Sequence, residues 1–270
     1  VIKRIKERNT LNSALNGALT SSLRSSLATS GSLILPVLDN LLFQVAAFQS
    51  GKSKEQLVTV DGSNKVSAWL DLSGNNNDIS QATTDFKPVY TQSAINSLPA
   101  IRYDGSNDFL EGNFIVTGEE ITAFVVAKRL AVINTGSTTF TTYNSANARD
   151  STSPDSFIEA WESTGNVLTT FRVNAKSSHP HPGNDIPYIF TTRFDGTDNI
   201  AYLNGTAAAA VASAGNFNIN TLLVGARYFE NSINRFYNGD IGEIIIYDRT
   251  LSTLEREEVE SYLSKKWGII

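Results

Sequence analysis

Hydrophobic positions along this chain follow three rhythms. From about residue 41 onward they come in short runs: ITAFVVAKR (Ile121–Arg129), YIFTTRF (Tyr188–Phe194), NIAYLNG (Asn199–Gly205), TLLVGAR (Thr221–Arg227) and IGEIIIYDR (Ile241–Arg249). Each is rich in β-branched and aromatic residues and is bounded by Gly, Asn or Asp, the signature of strands between tight turns. Because a strand presents successive side chains to opposite faces, Tyr188, Phe190, Thr192 and Phe194 are expected on one face, with Ile189, Thr191 and Arg193 on the other. Many such runs with no alternating βαβ pattern predict an all-β, antiparallel sandwich or jelly roll.

The second rhythm is helical and closes the chain. In LSTLEREEVESYLSKKWGI, Ser252 and Glu255 have the spacing of a capping box, and Leu254, Val259, Tyr262, Leu263 and Trp267 fall roughly on one face. Glu255, Glu257 and Glu258 precede Lys265 and Lys266, the order that the helix dipole favours. This short C-terminal helix is expected to cover an edge or a face of the sandwich.

The third rhythm belongs to residues 1–32, where Leu11, Leu15, Leu19, Leu23 and Leu27 recur every four positions among Ser, Thr and Asn. On a helix such a stripe winds slowly and is too narrow to fold alone; it is not the heptad of a coiled coil. Residues 1–40 are therefore read as a helical or extended attachment segment, with a tail or an ordinary packed helix as alternatives, and residues 41–270 as the sandwich domain. The expected partners of the stripe are other structural proteins of an assembly, or sister chains in a homo-oligomer.

Charge sharpens this division. The net charge is −5, yet residues 1–40 carry +3, which leaves −8 on the remainder. An acidic body argues against nucleic-acid binding, which requires a basic surface. The absence of cysteine removes disulfides, thiol catalysis and Cys-based zinc sites. The most apolar stretch, Leu33–Phe48, is broken by Pro36, Asp39 and Asn40, so membrane insertion is not expected.

Several segments together, KVSAWLDLSGNNNDISQ, then INSLPAIRYDGSNDFL, ITAFVVAKR, RFDGTDNIAYLNGTAAA and the closing strand–helix, resemble laminin-G-like domains of the concanavalin A-like lectin/glucanase superfamily. The resemblance spans roughly residues 40–270. It implies a jelly-roll sandwich of two antiparallel sheets, one of them concave. Its members include glycan hydrolases, lectins and protein-binding modules, so fold is implied far better than function.

Candidate chemistry is sparse. The Glu-x-Asp-x-(x)-Glu strand of the superfamily's glucanases is missing, and Glu159 and Glu162 in FIEAWES have an odd spacing that puts them on opposite faces of a strand. No Gly-x-Ser-x-Gly elbow, phosphate loop or dinucleotide fingerprint is present; the chain is expected to be non-catalytic. His179 and His181 alternate with prolines in SHPHPGND, read as a rigid exposed loop rather than a zinc site. Asp71, Asp78 and Asp104 supply oxygens for a calcium ion, the one cofactor entertained, although Asp, Asn, Gly and Ser also build turns. The paired RYDGS and RFDGT strings, beginning at Arg102 and Arg193, are read as turns. Ligand contacts are expected from the long polar stretch Asn134–Ser156, through Tyr143, Arg149 and Asp150, with Trp161 stacking on a sugar; core burial is the alternative for Trp161 and the expectation for Trp69. The reading that results is an anchored appendage, a fibre, spike or decoration protein of a phage virion, or else a protein displayed extracellularly or on a cell surface. Its lectin-like domain would touch glycans or a host surface. A secreted carbohydrate-binding module and, third, a hydrolase are the alternatives.

Overall fold

The computed structural model describes residues 33–131, 136–145, 157–162, 166–172, 175–229 and 232–269. Its strands begin with β1 (Leu41–Ala46), β2 (Val58–Val60), β3 (Val66–Trp69), β4 (Ile79–Ser80), β5 (Val89–Ile95), β6 (Leu98–Asp104) and β7 (Leu110–Val116). Next come β8 (Glu120–Arg129), β9 (Thr138–Tyr143), β10 (Ile158–Glu162), β11 (Val167–Arg172), β12 (Ala175–Pro180), β13 (Tyr188–Asp195) and β14 (Asp198–Leu203). The series ends with β15 (Thr206–Ala207), β16 (Val211–Ala212), β17 (Ile219–Val224), β18 (Arg227–Phe229), β19 (Ser232–Asn234) and β20 (Asn238–Tyr247), followed by helix α1 (Thr253–Trp267).

These strands form an antiparallel β-sandwich. The first sheet runs β15-β14-β13-β8-β20-β6-β5, with β1 also on β20 and β16 on β14; the second runs β12-β11-β10-β9-β17-β7-β4-β3-β2. Between them lies a core in which Phe43, Ile101, Tyr103, Val125, Phe190 and Ile244 meet Trp69, Leu110, Phe114, Phe140, Leu222 and Val224. Phe43 and Phe114 contact edge to face across it, with centroids 5.9 Å apart. Trp69 is fully buried there, as expected. Nonlocal pairing dominates: β20, near the C-terminus, sits between β8 and β6 and also takes β1.

Helix α1 covers the outer face of the first sheet. Val259, Leu263 and Trp267 pack on Phe124, Val126, Ile189, Ile245 and Tyr247, and Leu35 and Val37 join the same cluster. Both faces of β13 and β20 are thereby buried, which is why IGEIIIY reads as a nearly continuous apolar run rather than a clean alternation. The Ser252 hydroxyl accepts from the Glu255 N–H at 3.3 Å, and the Glu255 carboxylate accepts from the Ser252 N–H at 2.9 Å, the predicted capping box. Gly268 closes the helix at φ +63°.

Leu254 departs from the expectation: it is 73% exposed. It lies five residues before Val259, roughly 140° around the helix axis, so it cannot share the buried face. The flanks of that face are charged instead. Glu243 of β20, fully buried, accepts from Trp267 Nε1 (2.8 Å), Gln44 Nε2 (2.9 Å) and Tyr262 Oη (3.3 Å) and pairs with Lys266 Nζ at 2.8 Å. Gly242 is required beside it, because a Cβ there would stand 2.6 Å from the Trp267 ring.

Both Asp-Gly strings are turns, as read. In the first, Asp104 Oδ1 accepts from the Ser106 N–H (2.7 Å) and Gly105 has φ +77°. In the second, Asp195 Oδ1 accepts from Thr197 and Asp198 N–H groups and Gly196 has φ +86°, closing the β13–β14 hairpin with Phe194 opposite Asn199. No described helix is long and apolar enough to cross a membrane. The leucine stripe (Leu11, Leu15, Leu19, Leu23, Leu27) lies outside the described residues.

Candidate functional site

Among the described residues, no helix comparable to α1 lies over the outer face of the second sheet. Its centre is the three-strand unit β9-β17-β7. Leu110, Phe114 and Val116 of β7 point inward to the core, so the alternate residues Glu111, Asn113 and Ile115 point outward; Asn113 and Ile115 are exposed and Glu111 is half-buried. Register puts Thr221 of β17 between Asn113 and Tyr143, and Leu223 between Glu111 and Thr141. Ser80 of β4 stands opposite Glu111 and extends the row.

Tyr143 donates its hydroxyl to Glu111. Burial, then this hydrogen bond and the carboxylate's charge, push the phenol well above its ordinary range, so it stays protonated and keeps donating. On its other side the Tyr228 ring lies stacked, 4.7 Å between centroids and 18° between planes. Tyr228 belongs to the β18–β19 hairpin, whose Tyr228 and Ile233 pack on Tyr143 and Leu223 of the outer face. Its neck is closed by the Tyr237 N–H donating to the Gly225 carbonyl (2.8 Å), while the Gly225 N–H donates to the Thr139 carbonyl (2.7 Å). Gly225 has φ +86°, and a Cβ there would fall 2.1 Å from the Tyr103 ring, so only glycine lets the hairpin leave the sheet at this point. Arg227 and Arg235 cross the Phe229 ring at 4.9 and 4.4 Å, and Arg227 lies 5.6 Å from the Phe171 ring of β11, which fastens the hairpin to the sheet.

The result is a partly apolar floor with a half-buried carboxylate, exposed amide and hydroxyl groups, and a half-buried aromatic wall. Such a surface can accept hydrogen bonds from a polyol while offering a ring face to its C–H groups. Glu111 pairs with a tyrosine rather than with a second carboxylate, unlike the paired carboxyls of glycoside hydrolysis.

Of the residues expected to bind ligand, Tyr143 is at this site, though only 5% exposed, so it orients Glu111 more than it contacts solvent. Part of the expected polar loop Asn134–Ser156 is strand instead: Thr138–Tyr143 forms β9, buried along its length, and residues 146–156 lie outside the described residues. The four threonines of TTFTTY build a strand because β-branched residues suit a pleated, covered surface. Arg149 and Asp150 lie outside the described residues. Trp161 falls in β10, opposite Leu168 of β11. Glu111, Asn113, Ile115 and Tyr228 were missed. LEGNFIV carries the period-two signal for the first three, whereas nothing local marks Tyr228.

The three residues expected at a calcium ion are not brought together. Asp71 and Asp78 share one loop and Asp104 lies in another turn, and each carboxylate already serves that turn. Asp71 Oδ1 accepts from Gln44 and Ser73 N–H groups (3.0 and 2.9 Å), and Oδ2 from the Ser73 hydroxyl (2.7 Å) and the Asn77 N–H (3.0 Å). Asp78 accepts from the Asp71 N–H at 2.7 Å. Among the described residues no three His, Cys, Asp or Glu side chains gather as a metal site. His181 is likewise not exposed: it is 6% accessible, its Nδ1 accepts from the Gly183 N–H, and burial, then the nearby Arg129 charge, depress it to about 3.

The antiparallel β-sandwich is a fold shared with domains of solved proteins. Domain 4 of AbnA, a GH43 extracellular arabinanase from Geobacillus stearothermophilus solved with arabinotriose, matches with a TM-score of 0.54 at 13% identity, over 83% of this chain and 98% of that one. Trypanosoma rangeli sialidase in complex with sialic acid matches with a TM-score of 0.57 at 11% identity, over 86% of this chain but only 34% of the sialidase. At these identities the likeness is one of fold. No protein-family model matches the chain, and no curated protein matches its sequence.

Proposed function

We propose that this chain carries a non-catalytic carbohydrate-binding domain of concanavalin A-like, laminin-G-like type, with its ligand on the outer face of the second sheet. The observation that carries this reading is the Tyr228–Tyr143–Glu111 arrangement, in which a ring platform and an oriented, accessible carboxylate adjoin exposed Asn113 and Ser80. Sugar recognition needs that combination: an apolar face for the C–H groups and fixed acceptors for hydroxyls. The fold neighbours that act on or hold saccharides support it.

A glycan array probed with the purified protein tests the proposal, followed by calorimetry on the positives. Tyr228→Ala and Glu111→Gln are expected to weaken binding by about tenfold or more, on the order of 1.4 kcal/mol, with circular dichroism unchanged. Silence across the array, or binding that both variants retain, overturns the assignment. Release of reducing sugar from bound glycans would overturn its non-catalytic part.

A further inference from the structure

The aromatic furniture of this face does not stop at Tyr228. Tyr143, Leu223 and Ala226 form a small cluster against which Phe109, Tyr228, Ile233 and Phe236 pack, all four half-buried. Phe109 in turn carries Phe86, with ring centroids 5.8 Å apart and planes tilted by 32°. Phe86 is 38% exposed. An exposed phenylalanine alone is unremarkable; this one is held in place.

Its turn, Thr84–Phe86, is fixed by the Phe86 N–H donating to the Thr83 carbonyl (3.1 Å) and the Lys65 ammonium donating to the Thr84 carbonyl (3.2 Å). The Phe109 N–H donates to the Phe86 carbonyl at 3.1 Å. Gln81 braces the same turn by accepting from the Thr83 N–H at 2.9 Å. Gln81 follows Ser80, the residue opposite Glu111. A polar strip from Glu111 through Ser80 therefore leads to the Phe86–Phe109 pair, beside the row of rings that starts at Tyr143.

We propose that Phe86 and Phe109 form a second subsite, and that the ligand is an extended glycan chain of several sugar rings rather than a single terminal sugar. This rests on the carbohydrate-binding reading of the face. A linear oligosaccharide presents ring faces and hydroxyls in repetition, and this rim repeats ring platforms with acceptors between them. Rigid placement matters because a preformed platform avoids the cost of ordering a side chain on binding.

The test is calorimetry of the full chain against ladders of linear arabinan-, xylan- and glucan-derived oligosaccharides, from disaccharide to hexasaccharide. For the ladder that binds, affinity should rise with length by about tenfold, and Phe86→Ala should remove about five- to tenfold from the longer members only. Phe86→Trp should restore it, which separates loss of the platform from loss of folding. Tyr228→Ala should weaken every length alike. If short and long members bind equally, or Phe86→Ala changes none of them, the second subsite is refuted while the first stands. If no ladder binds while the glycan array reports a short terminal sugar, the second subsite is refuted and the first stands; if the array is silent too, the carbohydrate reading falls and the subsite with it. If Phe86→Ala instead abolishes self-association in sedimentation, the rim is a contact between copies, and the proposal is wrong.

Discussion

Asp71 commits both carboxylate oxygens to its own loop and to β1, so the acidic string DLSGNNND folds as a braced turn. Asp71→Ala should lower stability by about 1–3 kcal/mol in urea titrations, since it leaves several N–H groups without their acceptor, while chelator should not move the wild-type midpoint. Asp108 behaves differently. It is 4% exposed and accepts from the Asp104 N–H at 3.0 Å; burial, then the Asp104 charge, raises it to about 6, against the opposing effects of that hydrogen bond and of Lys65. A carboxyl raised from 3.8 to about 6 on folding contributes stability below pH 3.8 that is lost as pH rises through 6. Asp108→Asn should therefore stabilise the protein at pH 7 by about 1–2 kcal/mol and flatten the pH 4–7 stability profile. A variant that is less stable at pH 7 would refute this. At this scale the sequence was legible in part: Asp-Gly announces a turn, but only packing separates an exposed Asp104 from a buried Asp108.

Helix α1 shows the same division one level up. Its existence, cap and direction were readable, because capping depends on residues three apart in sequence. Its buried face was legible in part: Val259, Tyr262, Leu263 and Trp267 lie in it, but Leu254 is outside it, and Glu260, Arg256 and Lys266 are within or beside it. Arg256 pairs with Glu260, which accepts from the Thr191 hydroxyl at 2.8 Å. Buried charges are tolerated because the first sheet supplies partners from positions remote in sequence. Glu243→Ala should accordingly cost about 3–5 kcal/mol, leaving Lys266 buried without its counter-charge, and Glu243→Ala with Lys266→Met should recover part of it. At the cap, the Arg249 hydrogen bonds hold Glu255 down to about 2. The stability it contributes is complete above its ordinary 4.5 and is lost as pH falls towards 2, so Glu255→Gln should narrow the gap between pH 6 and pH 2 midpoints.

At the scale of the molecule, one glycine joins the core to the candidate site. Gly225 lets β17 pass over Tyr103 and releases the hairpin that carries Tyr228. Gly225→Ala should destabilise the fold by about 2 kcal/mol or more, from strain at positive φ and the clash with a buried ring, and weaken glycan binding in the same variant. Binding that survives unchanged would show that the hairpin is not a fixed wall. The sequence by itself determined the class of fold, the turns and the closing helix, since period-two alternation, Asp-Gly pairs and capping boxes are local signals. It also held Glu111, Asn113 and Ile115 on one face of LEGNFIV, unread for want of knowing which face is open. Only the tertiary structure decided that face. It seated α1 on the first sheet, raised a short hairpin on the second sheet's outer surface, and brought Tyr228, Tyr143, Glu111 and Phe86 into one neighbourhood. Such placement follows from pairing between strands far apart in the chain, which no local pattern encodes.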